Sequence, residues 1–324
     1  MKYRSISATD LKVAAICLGG GSFCLEDGQA HSFELMNTYF EQGGNFIDTA
    51  NVYGKWLKAE TNISEIVMGE WMHQRKNRHE LIIASKGGHP DLATMSVSRL
   101  SREEVLKDLE ESLKALKTDY IDLYWLHRDD ENLPVATIMT YLNDLVKDGK
   151  IRYFGCSNWK VSRIKQAMEY CQKNHVGTFV GNQMRWSLAV PNAYAQDDQT
   201  LVSMDEECYE YHMETMLTAI PYASQANGFF EKLKDVDQVP LSDGIKRTYY
   251  NETNVSALKM VEKVAKELSL SITEVILGYL ISQPFTTIPI IGSSSKEQLS
   301  KSLKAGDLAL SKEVIELLNK KSNK

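Results

Sequence analysis

Four side chains in four separate segments are of types that could do chemistry together. Asp48 closes the apolar run Asn45–Asp48, Tyr53 follows five residues later, Lys86 closes Leu81–Lys86, and His127 follows Tyr120–Leu126. Taken singly, each has a plain reading: a lone Asp or Lys at a strand end is usually a solvated turn residue, and one His after an apolar run is more often structural. Asp, Lys and His ending three consecutive candidate strands are harder to ascribe to turn chemistry. A lysine beside an aspartate keeps its charge, and that charge lowers the pKa of a neighbouring tyrosine. Tyrosine is otherwise a poor acid near neutrality, with a pKa of about 10. A Lys86–Asp48 pair is therefore expected to make Tyr53 a usable proton donor. His127 is expected to donate a hydrogen bond to a substrate oxygen as negative charge develops there. Such a set handles protons and polarises a carbonyl; the hydride of a reduction must come from a cofactor.

The elements that position these residues alternate along the whole chain. Eight short apolar runs read as strands: Ala15–Leu18, Asn45–Asp48, Leu81–Lys86, Tyr120–Leu126, Ile151–Cys156, Phe179–Gln183, Met216–Tyr222 and Thr287–Ile291. Most are apolar almost throughout, as parallel strands covered on both sides should be. Amphipathic helical patterns lie between them. Ser101–Glu104 and Ser271–Glu274 fit the S-x-x-E capping box, and Val105, Leu106, Leu109, Leu113 and Leu116 recur at helical spacing. Gly149 is placed to end a helix. Eight strand–helix units in series predict a (β/α)8 TIM barrel, α/β in class, over one domain of residues 1–324. A short hairpin (Lys2–Ile6, Leu11–Val13) is expected before the first barrel strand. After the seventh comes a long loop, 223–254, whose Phe229, Phe230, Tyr249 and Tyr250 suggest a lid. In such a barrel the site lies at the C-terminal ends of the strands. There the sequence places Gly19–Phe23, Asp48, Lys86, His127, Ser157-Asn158, Gln183, Tyr222 and Gly292–Ser295.

Bulk properties narrow the function. The net charge is −6 with 25% charged residues, so the chain lacks the basic face that phosphate backbones require, and no nucleic-acid partner is expected. No stretch is long and apolar enough to span a bilayer, the first residues hold no signal-type apolar region, and no membrane association is expected. The five cysteines, Cys17, Cys24, Cys156, Cys171 and Cys208, form no CxxC pair and read as reduced thiols of a cytoplasmic protein. No metal is expected, because ligand pairs at H-x-x-x-H or C-x-x-C spacing are absent. His127-Arg128-Asp129 is not a kinase catalytic loop, since Pro134 stands where an asparagine is needed. Gly19-Gly20-Gly21 is not a dinucleotide fingerprint either, since Cys24 holds the third glycine position.

With these residues in view, the chain resembles the aldo-keto reductases over nearly its whole length. Asn45–Gly54 looks like the family's first signature, with Asp48 and Tyr53 at its catalytic positions; Ile82–Lys86 resembles its lysine strand and Asp119–His127 its histidine signature. The resemblance extends to some regulatory barrels of potassium-channel beta-subunit type. It implies an NADPH-dependent reduction of an aldehyde or ketone to an alcohol, with NADH as the alternative cofactor. It also implies cofactor contacts at Gly21, Ser22, Asp48, Ser157, Asn158, Gln183, Tyr222, Ser224, Gln225, Asn227, Gly292, Ser293, Ser294, Ser295, Gln298, Lys301 and Ser302. Ser157, Asn158 and Gln183 would hold the carboxamide and Tyr222 would stack on the nicotinamide. The segment Ile288–Ser295 would be the loop and helix start that hold the adenosine phosphate. The chain departs from the family in two places. Ala223-Ser224-Gln225 stands where Ser-Pro-Leu is common, and Gln298 stands near a frequent arginine, leaving Lys296 or Lys301 to supply charge. For the substrate, Phe23, Trp56, Trp125 and Trp159 are implied pocket walls, with Trp186 equally able to be core. Two other readings stay open: a nucleotide-binding sensor subunit with little turnover, and redox-neutral chemistry on a retained cofactor. The partner expected is a small carbonyl compound, with oligomeric state left open.

Overall fold

The computed structural model describes residues 1–23, 28–57, 61–195, 198–237 and 240–319; Cys24 lies outside them. An antiparallel hairpin, β1 (Tyr3–Ser5) and β2 (Lys12–Ala14), precedes eight parallel strands. These are β3 (Cys17–Gly19), β4 (Phe46–Asp48), β5 (Ile82–Gly87), β6 (Ile121–Leu126), β7 (Ile151–Ser157), β8 (Gly181–Gln183), β9 (Thr218–Ala219) and β10 (Ile290–Ile291). They pair in the order β10-β3-β4-β5-β6-β7-β8-β9. The ring closes where the Ala219 N–H donates to Thr286 O and the Ile288 N–H to Ala219 O, both at 2.9 Å. All eight predicted strands are present, and the fold is a (β/α)8 barrel.

Strand periodicity sorts the side chains. Alternate residues point into the barrel, so Phe46 and Asp48, Ala84 and Lys86, and Leu123 and Trp125 share the interior. The lower interior is apolar, built from Cys17, Phe46, Ala84, Leu123, Val180 and Ile288. The hairpin adds Leu11 and Val13 and stoppers the N-terminal end. The polar partners Asp48 and Lys86 lie one layer higher, toward the mouth. Trp125 fills the space between: a Cβ on Gly155 would collide with its ring, and one on Gly181 would come within 3.1 Å.

Outside the strands lie α1 (Gly28–Glu41), α2 (Ile63–Arg75), α3 (Arg102–Leu116), α4 (Val135–Lys147), α5 (Val161–Asn174) and α6 (Glu206–Thr215). After β9 come α7 (Phe229–Lys234), α8 (Asp243–Tyr249), α9 (Glu252–Leu268) and α10 (Ile272–Ile281), and after β10 come α11 (Lys296–Leu303) and α12 (Lys312–Asn319). In α3 the residues Val105, Leu109, Leu113 and Leu116 are buried as predicted. Ser271 and Glu274 form the reciprocal capping box, whereas Ser101 caps the Glu104 N–H without the returning bond. Gly149 follows α4 at φ +73, a left-handed turn residue. Among the described residues, no helix is long and apolar enough to cross a membrane.

The expected aromatic lid is corrected by the structure. The segment after β9 is helical, and Phe229, Phe230 and Tyr249 are 0%, 1% and 2% exposed, packed in the main core. Their amphipathic placement on α7 and α8 buries them against the barrel's outer layer. Only Tyr250 is exposed, and residues 238–239 lie outside the described part.

Candidate active site

The register of β4, β5 and β6 brings three of the four expected residues to one level. Asp48 sits beside Gly19 and Ala84, Lys86 beside Trp125, and His127 directly follows β6. Asp48 and Lys86 form an ion pair, both almost wholly buried. The Lys86 ammonium also donates to Thr49 O at 2.7 Å and to the Tyr53 hydroxyl at 3.3 Å. Gln183 Nε2 donates to the other Asp48 oxygen at 2.7 Å. Tyr53 reaches the same point from the turn after β4, and its ring lies 6.1 Å from that of His127.

Burial dominates the electrostatics. It pushes the Asp48 carboxyl up, and Lys86 and Gln183 pull it back. Burial opposes the Lys86 charge, but Asp48 and Tyr53 outweigh it, so the ammonium is held above its ordinary value. His127 is driven well below its ordinary value by burial, then by His89, Arg128 and Lys86, so its imidazole is neutral. Its Nδ1 is buried without a hydrogen-bond partner among the described residues. An orphaned acceptor is tolerated better than an orphaned N–H, which assigns the proton to Nε2.

A cavity of about 770 Å³ opens from Asp48 and Tyr53. It runs past Tyr222 and residues 223–228 to Ser294 and Gln298, bounded on its outer side by Glu231, Lys232, Thr273 and His31. Its volume falls in the range of small-molecule and cofactor sites. The hydroxyls of Ser22 and Ser293 are buried and unpartnered among the described residues, and both residues line this cavity. Buried polar groups normally find partners, so the wall fits an elongated polar ligand such as a nicotinamide dinucleotide. Of the expected contact residues, Gly21, Ser22, Asp48, Tyr222, Ser224, Gln225, Asn227, Gly292, Ser293, Ser294 and Gln298 line it.

The remaining ones do not line it. Ser157, Asn158 and Gln183 are buried at the strand ends. Asn158 is saturated by the chain itself: its Oδ1 accepts from the Tyr222 hydroxyl at 2.6 Å and from Val202 N–H at 3.1 Å. Gln183 Oε1 has no hydrogen-bond partner among the described residues. Ser295 caps α11, Ser302 accepts from Gln225 at 3.1 Å, and Lys301 is tied to Glu231 at 2.8 Å. Lys296 pairs with Glu34 rather than standing free.

The expected aromatic walls are also redistributed. Phe23, Trp125 and Trp159 are buried and line neither this cavity nor a second one described below. Trp159 packs on Phe179, and its N–H donates to Arg128 O at 3.0 Å. Trp186 is core, stacked on Phe285. Trp56 is exposed, edge-on to Tyr53 at 5.8 Å.

Sequence reasoning missed several residues. Glu231 and Lys232 enter the cavity from α7, hidden within a stretch that reads as a lid. Arg128 donates to His127 O, Thr200 and Asp198 at 2.7–3.0 Å, fastening the 198–203 loop against the histidine. A cavity of about 360 Å³ lies beside Lys86, lined by Asn51, Lys55, His89, Arg99 and Asp108 among others. Their separation along the chain gave no local signal.

Comparison with known proteins identifies the family. The chain belongs to the aldo/keto reductase family, whose profile matches residues 15–323. It is similar to norsolorinic acid reductase B of Dothistroma septosporum, with 29% identity over 98% of this chain and 80% of that protein. It is 28% identical to an uncharacterized oxidoreductase of Bacillus subtilis, over 98% of this chain and 95% of the other. An NADP(+) aryl-alcohol dehydrogenase of Phanerodontia chrysosporium shares 28% identity over 89% of this chain and 75% of its own. In fold, the chain matches a thermostable aldo-keto reductase crystallised with the inhibitor epalrestat, at a TM-score of 0.74 and 24% identity, over 99% and 100% of the two chains. The protein is thus an NAD(P)H-dependent oxidoreductase.

Proposed function

We propose that this chain reduces an aldehyde or ketone to an alcohol, reversibly, with NADPH as the favoured cofactor and NADH as its alternative. The observation that carries the reading is the buried Lys86–Asp48 pair whose ammonium donates to the Tyr53 hydroxyl at 3.3 Å. When bound, the nicotinamide supplies a hydride, two electrons and one hydrogen, to the carbonyl carbon. Tyr53 gives a proton to the carbonyl oxygen, so that the aldehyde or ketone becomes an alcohol. Lys86 steadies the tyrosinate oxygen left behind through its charged hydrogen bond. Asp48 keeps Lys86 charged in a buried setting, and Gln183 keeps Asp48 oriented. Neutral His127, with its proton on Nε2, donates to the carbonyl oxygen without competing for the transferred proton. Ser22, Ser293 and residues 223–228 would hold the cofactor along the larger cavity. The four described cysteines are buried free thiols, which suits a reducing cytoplasm.

The test is Tyr53→Phe. Carbonyl reduction followed at 340 nm should fall by about 10²-fold or more, while NADPH affinity by fluorescence titration stays within about twofold. A variant reducing carbonyls at the wild-type rate removes Tyr53 as the acid. Wild-type protein that binds nucleotide but consumes it with no carbonyl supports the sensor reading instead.

A further inference from the structure

The end of the larger cavity away from Asp48 and Tyr53 is built from three helices. Glu231 reaches it from α7, Thr273 from α10, and Gln298 from α11. Packing fixes how α7 presents its carboxylate: Phe229, Phe230 and Leu233 are buried, which turns Glu231 and Lys232 to the cavity side. Glu231 Oε1 accepts from the Thr273 N–H at 3.2 Å, the Thr273 hydroxyl at 2.6 Å and the Lys301 ammonium at 2.8 Å. Burial pushes this carboxyl up, but Lys301 and Thr273 outweigh it, so it stays below its ordinary value and is ionised at neutral pH. All three bonds fall on Oε1. The lone pairs of Oε2 take part in none of them, which leaves an acceptor for a ligand.

The two lysines of α11 expected to supply positive charge are committed. Lys301 lies one turn beyond Gln298 and is spent on Glu231, and Lys296 pairs with Glu34 at 2.9 Å. Gln298 is neutral and accepts from Ser294. A phosphate brought to this end meets an ionised carboxylate and a lysine already paired with it. A hydroxyl brought there meets an acceptor. A hydroxyl donating to a carboxylate makes a strong, charge-assisted hydrogen bond, whereas two anions in a half-buried setting repel.

Resting on the carbonyl-reduction reading, which commits this cavity to a nicotinamide dinucleotide, those two responses separate the two cofactors. NADH carries a hydroxyl on its adenosine ribose where NADPH carries a 2′-phosphate. We propose that Glu231 is a cofactor-selecting residue, whose Oε2 accepts from the 2′-hydroxyl of NADH and whose charge repels the 2′-phosphate of NADPH. Its effect is to narrow the preference for NADPH and to admit NADH. Lys301 acts through Glu231, by offsetting part of that charge.

The experiment measures Kd for NADPH and for NADH by fluorescence titration, with no carbonyl present, on wild type, Glu231→Gln and Lys301→Met. Glu231→Gln removes the negative charge and releases Lys301, so the NADPH-to-NADH affinity ratio should rise about tenfold or more. Lys301→Met leaves Glu231 uncompensated, so the ratio should fall about threefold or more. A pair that only braces α7 against α11 would weaken both cofactors alike and leave the ratio unmoved. A ratio within twofold of wild type in Glu231→Gln overturns the assignment. Should that variant not fold, Lys301→Met decides, and a ratio that does not fall overturns it. Should neither fold, wild type decides: NADPH bound less than tenfold more tightly than NADH supports the assignment, and a larger preference refutes it. Wild-type protein that binds neither nucleotide defeats the cofactor reading itself, an outcome distinct from binding with an unmoved ratio.

Discussion

Glu65 offers a sharp test of how burial tunes the scaffold behind the active site. It lies in the first turn of α2 with no exposed surface, beside Ser85, the residue preceding Lys86. Asn62 Nδ2 donates to one carboxyl oxygen at 2.5 Å, and the Ser85 hydroxyl donates to the other. Burial pushes the carboxyl up from its ordinary 4.5 to about 7, against these donors. The sign follows from proton counting. Between pH 4.5 and 7 the unfolded chain has lost this proton while the folded chain keeps it, so the protein loses stability as pH rises through that window. At 1.36 kcal/mol per pH unit, the interval from 4.5 to about 7 amounts to about 3 kcal/mol, fully lost above pH 7. Glu65→Gln removes the titration and keeps the shape, and its amide oxygen can accept from the Ser85 hydroxyl as the carboxyl does. Urea unfolding of wild type and variant at pH 5 and pH 8 reads the difference. The variant should gain roughly 2–3 kcal/mol relative to wild type between those two pH values, whatever its offset at pH 5. A gap that stays constant within about 0.5 kcal/mol would refute the argument, because the folded-state carboxyl would then titrate as in the unfolded chain.

Two further substitutions test the cofactor cavity and the barrel interior. Gln298 now accepts from the Ser294 N–H at 2.8 Å and its hydroxyl at 3.0 Å, so Gln298→Arg exchanges a neutral cap for a cation at the cavity's end. The NADPH-to-NADH affinity ratio in fluorescence titration should rise about tenfold, about 1.4 kcal/mol; an unchanged ratio places the 2′-phosphate elsewhere. Gly155→Ala drives a methyl into the Trp125 ring. Thermal unfolding should show a loss of about 1–3 kcal/mol, and a loss below about 0.5 kcal/mol would mean the interior can yield there.

The barrel was legible in the sequence because its cause is local. Strands covered on both sides must be apolar almost throughout, and helices between them must carry one apolar face; both patterns are written in consecutive residues. Asp48, Lys86 and His127 were legible for the same reason, as polar endings to apolar runs. The α7 segment was misread because Phe229, Phe230 and Tyr249 look alike as lid or as core until a partner surface exists. Trp125 and Trp159 were misassigned as pocket walls on similar grounds: which side of a strand or helix meets solvent depends on what packs opposite. Only the folded chain decided that Lys301 is spent on Glu231, that Asn158 is occupied by Tyr222, and that Asn51, Lys55, His89, Arg99 and Asp108 line one cavity beside Lys86. Those facts rest on pairings between distant segments, set by barrel closure and strand register. Sequence periodicity determined which residues reach the mouth of the barrel, and tertiary packing decided which of them face a ligand and which face each other.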